Sequence, residues 1–439
     1  MRAVVAILIW FCARAALAQE FTTLKGHGGP IMDIAVLADG RVATASFDNS
    51  VGLWDLGVPI WLEGHEAAVN ALAPTIFNTI LSGGDDFAIR RWRGDPVIKL
   101  EFRNGGVLGK HLGKVTDIAI HPHQGEAASA SWDGTIGIWS LLPPPEFGGH
   151  IFLEAPSGVN AVAYSDDEQW LYAATVSGEL LAFSTNYSAP EFRSILKHGF
   201  GINDLVLGEE GAWLAYGAVD GVSRVIDPET GAQIADFTLD RRPILAMAYH
   251  ADTAQLAVGD GQGYIMMVDT QDWRITRDFR ATRAGPVWAL AFSPDGQVIY
   301  AGGLDDVAYA WPVAYLDEFD PAIDGERSFL RAADTMSNGE RQFMRKCSIC
   351  HALDPAPSRK AGPSLYGLFG RKAGTLPGYP YSATLLDADI VWDAVTVDAL
   401  FDEGPDHYIP GSKMPMQVIR GADDRADLVE FLKLATKEE

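Results

Sequence analysis

From Phe21 onward one arrangement of apolar and polar positions recurs: an apolar strand, a turn, a strand of small residues such as Ala43-Thr44-Ala45-Ser46, a tight turn, and a strand closing on Trp or a large aliphatic. The closing positions are Trp54, Trp92, Trp139, Phe183, Ile226, Val268 and Trp311, separated by 38, 47, 44, 43, 42 and 43 residues. That period is the one expected of a four-stranded propeller blade. A second landmark fixes the register independently. Six residues before each closing position stand Asp48, Asp86, Asp133, Ser177, Asp220, Gln262 and Asp305, so five of the seven are Asp. Asp suits a tight turn between two strands because its side chain accepts backbone N–H bonds and tolerates unusual dihedrals. After Trp311 the strand pattern stops. Asp317 to Arg331 is a mixed charged stretch, read as a connector, and from about Asp334 the period turns helical. Asn338 is the expected cap, with Gly339, Phe343, Met344 and Cys347 on one face, and a last helix near Asp423 to Thr436 places Leu428, Phe431 and Leu432 together.

The repeat region resembles the WD40 family. The residues that carry the resemblance are Gly26-His27 and Gly64-His65, Ser131-Trp132-Asp133-Gly134, Phe292-Ser293-Pro294-Asp295-Gly296 and the Trp54-Asp55 pair. The resemblance implies a seven-bladed β-propeller over about residues 21–315, although Asp227 and Asp269 follow Ile226 and Val268 rather than Trp. Phe21 to Leu24 is left over before the first full repeat, and it is expected to complete the last blade and close the ring. Such a ring usually presents its loops and channel mouth to partner proteins, and catalysis is the exception. His27 and His65 are read as hydrogen-bonded within their own blades. His121 and His123 are read as turn residues rather than a metal pair.

The first C-terminal helix runs into Cys347-Ser348-Ile349-Cys350-His351. Two thiols one helical turn apart can bond the two vinyl groups of haem, and the adjoining imidazole can reach the iron from one side. A zinc reading needs two further ligands close by, and a redox dithiol needs a thioredoxin-like βαβ surround. The mature chain would have no other cysteine, and no such βαβ pattern surrounds the motif. The segments that follow are Gly362-Pro363, Gly367-Leu368-Phe369-Gly370-Arg371-Lys372, Pro377-Gly378-Tyr379, Trp392, and Tyr408-Ile409-Pro410-Gly411-Ser412-Lys413-Met414. In this order they look like a class I cytochrome c of the mitochondrial and α-proteobacterial type.

The resemblance implies one covalent haem c on Cys347 and Cys350, with His351 and Met414 as iron ligands. Pro363 would accept from the free imidazole N–H, and Arg371, Tyr381 and Trp392 would hold the propionates. Met416 is read as a packing residue. The chain departs from the family at Leu385, where relatives have Asn, and at Phe401, where many have Tyr, so a less hydrogen-bonded pocket is expected.

Composition and charge narrow the remaining classes. The chain has 58 acidic and 34 basic residues, which disfavours nucleic acid and anionic membranes as partners. Arg2, the apolar run Ala3 to Cys12, and Ala16-Leu17-Ala18 before Gln19 read as a secretory signal, because Arg14 closes the run too early for a spanning helix. Cleavage would leave Cys347 and Cys350 as the only thiols.

The expected order is a signal peptide at 1–18, an all-β seven-bladed propeller at 19–315, a connector at 316–333 and an all-α class I cytochrome c domain at 334–439. Together these describe a periplasmic single-electron carrier without an integral membrane segment after signal removal. Its redox partners are proteins, and its propeller serves as a protein-docking scaffold. Two rivals stand beside that reading: a propeller oxidoreductase feeding its own haem, and a haem-based sensor.

Overall fold

The computed structural model describes residues 21–94, 102–123, 125–141, 150–187, 191–238, 243–283, 285–316, 336–355 and 359–437. The expected signal segment lies outside these residues, as does the expected connector apart from Leu316.

Seven four-stranded antiparallel sheets follow one another along the chain. In the first blade the strands are Ile31–Val36, Val42–Ser46, Ser50–Asp55 and Val58–Glu63, from the inner strand to the outer. The seventh blade is built from both ends of the region: Thr22–Lys25 pairs with Val307–Pro312, setting Thr22 opposite Ala310 and Lys25 opposite Val307. The ring therefore closes by hydrogen bonds rather than by a linker, as the leftover strand predicts. The closing residues of the repeat all fall on third strands and all are buried, Trp92, Trp139 and Trp311 among the largest. Small residues such as Ala43 and Ala45 fill the second strands because adjacent sheets must approach closely there.

Each inner strand carries a register shift at the same point, from Ile31/Asp33 in the first blade to Val287/Ala289 in the last. A bulge adds local twist, and its repetition lets the sheets radiate from one axis. The residue after the shift alternates: Asp33, Ala71, Asp117, Ala161, Asp204, Ala246, then Ala289. Each Asp reaches into the next blade. Asp33 accepts from Leu72 N at 2.6 Å, Asp117 from Val162 N at 2.8 Å and Asp204 from Met247 N at 2.6 Å. Three Asp side chains thus tie blades 1 to 2, 3 to 4 and 5 to 6.

The Gly-His signatures serve the blades themselves. His27 Nε2 lies 2.7 Å from Thr44 Oγ1, which also accepts from Trp54 Nε1 at 2.7 Å, while His27 Nδ1 lies 2.9 Å from Asp48. The second blade repeats the chain through His65, Ser82, Trp92 and Asp86. Although burial opposes it, the hydrogen bond from His27 holds the Asp48 carboxyl below its usual range, and His65 does the same for Asp86. His111 joins Ser129, Trp139 and Asp133 in the same way, and His198 meets Asp220 at 3.1 Å. Both lie at the same offset from the turn Asp as His27 and His65, within one residue. The sequence reading passed over them because neither follows a Gly.

Among its described residues the C-terminal region holds five helices: α1 (Asn338–Lys346), α2 (Ala383–Asp387), α3 (Ala394–Glu403), α4 (Pro405–Tyr408) and α5 (Ala422–Ala435). The cap of α1 is Ser337, not Asn338; its hydroxyl accepts from Glu340 N at 3.2 Å. Asn338 instead donates to Asp424 at 2.8 Å and to Asp427 at 2.7 Å on α5. Between these anchors Gly339 lets the helices touch, since a Cβ there would lie 2.1 Å from Asp427 O and 2.7 Å from Phe431 Cβ. Phe343, Leu400, Leu428 and Leu432 close the core beneath. Buried Arg425 bonds Asp398 at 2.9 Å, Asp402 at 2.9 Å and the Ile419 carbonyl at 2.9 Å, locking α5 to α3. Among the described residues no helix is long and apolar enough to cross a membrane.

Candidate functional site

The last turn of α1 shapes the site. Cys347 N donates to Phe343 O at 2.8 Å, and Cys350 N and His351 N both return to Cys347 O, at 3.0 and 2.9 Å. The backbone is wound so that both thiols and the imidazole line one cavity. Both cysteines are free thiols. Burial, then the adjacent Cys350, pushes the Cys347 thiol up to about 12, and burial raises Cys350 as well, so the pair is neutral.

Burial lowers the His351 imidazole below its ordinary range, which keeps it neutral. Its Nδ1 lies 2.8 Å from Pro363 O. A carbonyl can only accept, so the proton sits on Nδ1 and the lone pair is on Nε2. Gly362 is required beside the ring, because a Cβ there would lie 2.4 Å from His351 Cε1.

A cavity of about 330 Å³ is lined by Cys347, Cys350, His351 and Pro363, and also by Arg371, Tyr381, Trp392 and Met414. All eight residues singled out in the sequence therefore border one space. Met416 does not; it is 49% exposed, with its sulfur packed over Gly404. Leu385 and Phe401 contribute apolar wall, as their side-chain types require.

The polar candidates are positioned by the loops between α1 and α3. Arg371 donates from Nη1 to Tyr366 O and from Nη2 to Ser364 O, both at 2.9 Å, so part of its guanidinium braces the loop after Pro363. Trp392 N donates to Arg371 O at 3.0 Å, and Gly370 N to Trp392 O at 2.8 Å, which sets Arg371 and Trp392 side by side. Tyr381 packs edge-on against Tyr379, whose hydroxyl donates to Ala361 O at 2.5 Å.

Two contributors escaped the sequence reading as site residues. Tyr379 lines the cavity, and its place in Pro-Gly-Tyr was the available signal. Lys360 donates from Nζ to Ser348 O at 2.7 Å and so pins the turn between the two cysteines. Further lining comes from the propeller: Phe47, Asn49, Glu66, Ala67, Ala68 and Asp85. No sequence signal announces these.

The donor set is specific: a neutral imidazole with one nitrogen fixed, a thioether, and two neutral thiols in a largely apolar cavity. It fits haem c. The Nδ1-to-carbonyl bond leaves Nε2 as the metal donor, and the thiols stand one turn apart at the wall, as two thioether bonds to one macrocycle require.

Elsewhere, ligand atoms of His121, His123 and Glu168 lie within 4.8 Å of one another. His123 N donates to His121 Nδ1 at 3.2 Å, and His123 Nε2 pairs directly with Glu168. The cluster joins the corresponding turns of blades 3 and 4 through the His123–Glu168 pair.

Comparison with known proteins places both parts. The family model described as cytochrome c matches residues 336–435, and that of the WD domain, G-beta repeat, matches 18–55, 58–93, 103–140 and 273–311. Cytochrome c of Sesamum indicum is 43% identical over 102 residues, covering 23% of this chain and 90% of the relative. Cytochrome c of Gossypium barbadense is 43% identical over 99 residues, which span 22% of this chain and 87% of that protein. Cytochrome c type-1 of Ascaris suum is 38% identical over 98 residues, 22% of this chain and 84% of its own length. Through its C-terminal quarter the chain belongs to the cytochrome c family, a haem-based electron-transfer domain carried here on a seven-bladed WD40-repeat propeller.

Proposed function

We propose that this chain is an exported, periplasmic single-electron carrier with one haem c bonded to Cys347 and Cys350. The iron is held by His351 Nε2 and Met414 Sδ, and the propeller is a protein-docking scaffold. One observation carries the reading: the cavity gathers both thiols, the oriented imidazole and Met414, while Met416 packs elsewhere.

When bound, the haem supplies a one-electron couple whose His/Met ligation favours a relatively high potential. The protein does the rest. Pro363 O fixes the His351 ring and raises its basicity through the Nδ1–H bond. Leu385, Leu400 and Phe401 exclude water from the cavity wall. Arg371, Tyr381 and Trp392 take the propionate side, with Arg371 already braced by two carbonyls. Leu385 and Phe401 offer no hydrogen bond, so the potential is shifted from that of relatives with Asn and Tyr there. Export supplies the compartment in which covalent attachment is carried out, and the signal-like segment at 1–18 supports it.

The test is direct. Purified protein should carry one haem that survives denaturation, and Cys347→Ser or Cys350→Ser should lose the two-thioether product. Met414→Ala should abolish the His/Met charge-transfer band while Met416→Ala keeps it. Normal attachment in the Cys variants, or a band lost only in Met416→Ala, would overturn the assignment. N-terminal sequencing of the mature chain should begin at Gln19.

A further inference from the structure

The haem cavity is not closed by the cytochrome domain alone. Turns at one end of blades 1 and 2 complete its wall: Phe47 and Asn49 from the first, Glu66, Ala67, Ala68 and Asp85 from the second. The two domains meet there through complementary charge. Arg359 Nη2 lies 2.7 Å from Glu63 Oε1, and its guanidinium sits 4.2 Å from the Trp61 ring. Lys413 Nζ, beside Met414, lies 3.6 Å from Glu66. Lys346, beside Cys347, lines the same cavity as Asp85.

Backbones also touch. A Cβ on Gly28 would lie 2.2 Å from the carbonyl carbon of Arg359, 2.5 Å from its oxygen and 2.5 Å from Lys360 N. No side chain fits at that point while the domains are together. The cations in this contact flank the residues that carry the haem reading, so they form the face that any outside redox protein would have to approach.

We infer that the acidic turns of blades 1 and 2 are a docking surface for this chain's own haem edge, holding the cytochrome in a closed state that competes with outside redox proteins. Exchange with a partner then requires the cytochrome to leave blades 1 and 2. Exposed ion pairs are individually weak and are screened by salt. Because both domains belong to one chain, each is at high local concentration to the other, which makes docking effective yet reversible. A partner that succeeds presents acidic groups able to replace Glu63 and Glu66 on Arg359 and Lys413. This inference rests on the haem reading above.

The experiment uses the full-length holoprotein. Gly28→Trp removes the fit without altering charge; Glu63→Gln with Glu66→Gln removes the ion pairs without altering shape. Oxidation of the ferrous protein by plastocyanin, an acidic blue-copper protein, is followed at low ionic strength, and the radius of gyration is measured by small-angle scattering. Both variants should react at least about fivefold faster than wild type, and both should scatter as larger particles, with propeller circular dichroism unchanged. Unchanged rates and radii in both variants would overturn the inference. A chain without covalent haem would instead refute the function proposed above, and scattering of Gly28→Trp would still decide whether the domains dock.

Discussion

Gly339→Ala tests the packing that holds the haem-bearing helix in place. Helix propensity alone predicts a gain, because Ala is favoured over Gly by about 1 kcal/mol inside a helix. The structure predicts a loss. The new methyl would sit 2.1 Å from Asp427 O and 2.7 Å from Phe431 Cβ, and the first of these is backbone of a packed helix that no rotamer change can move. Relieving the clash requires α1 and α5 to separate by roughly 1 Å, and overpacking of this kind costs about 1–3 kcal/mol. The bonds from Asn338 to Asp424 and Asp427 would stretch with it. Being at the second residue of α1 reduces the propensity gain, so the net expectation is a loss of about 1–2 kcal/mol. For a domain of this size that is a fall in melting temperature of roughly 4–16 °C. Soret absorbance of the full-length holoprotein reads the cytochrome domain selectively during a thermal scan. A Gly339→Ala variant that melts at or above wild type would refute the close-approach argument.

Three further outcomes follow from other parts of the chain. His27→Ala removes the partner of Asp48 and Thr44 and leaves a buried carboxylate underbonded, so propeller stability should fall by about 2–4 kcal/mol in chemical denaturation. Arg425→Met should destabilise the cytochrome domain by about 2–3 kcal/mol, because the Ile419 carbonyl loses its charged donor and α5 loses Asp398 and Asp402. Burial raises the Asp117 carboxyl to about 6, and burial followed by the charge of Asp117 raises Asp204 to about 8, against an ordinary 3.8. A folded pKa above the unfolded one gives stability that is full below about pH 4 and is lost as pH rises toward 8. Asp204→Asn should therefore flatten the decline of propeller melting temperature between pH 6 and 9, whatever its absolute stability, and an unchanged slope would contradict this.

The blade period was legible because two residue types with different jobs keep the same offset: the buried closing aliphatic or Trp, and the turn Asp. A single landmark carries less. His111 and His198 follow Lys rather than Gly, so the Gly-His signature missed them although His111 makes the full chain of blade bonds and His198 makes the bond to its turn Asp. The α1 cap slipped by one residue because Ser337 and Asn338 are both good caps, and only the tertiary bonds of Asn338 to α5 decide between them. The haem-site residues were legible for a different reason. Chemistry fixes Cys347, Cys350 and His351 within five positions, and Met414 is set apart from Met416 by its loop. The propeller's contact with the cytochrome domain was not legible, since Glu63 and Arg359 are 296 residues apart and neither belongs to a motif.

Charge ties the two parts into one device. From Asp334 onward there are 12 basic and 16 acidic residues, so the cytochrome domain has no surplus of cations to attract partners from a distance. The cations it does have are placed unevenly. Lys372 pairs with Asp389 and Arg425 is buried within the domain, whereas Lys346, Arg359 and Lys413 all face the propeller's acidic turns. An acidic visitor is thus repelled by the net charge of the chain and competes with the propeller's own carboxylates for Arg359 and Lys413. Raising salt weakens both the self-docking and a visitor's attraction to the same cations, so wild-type exchange with an acidic protein should depend on ionic strength far less than the exchange of the Glu63→Gln, Glu66→Gln variant, in which self-docking is already lost.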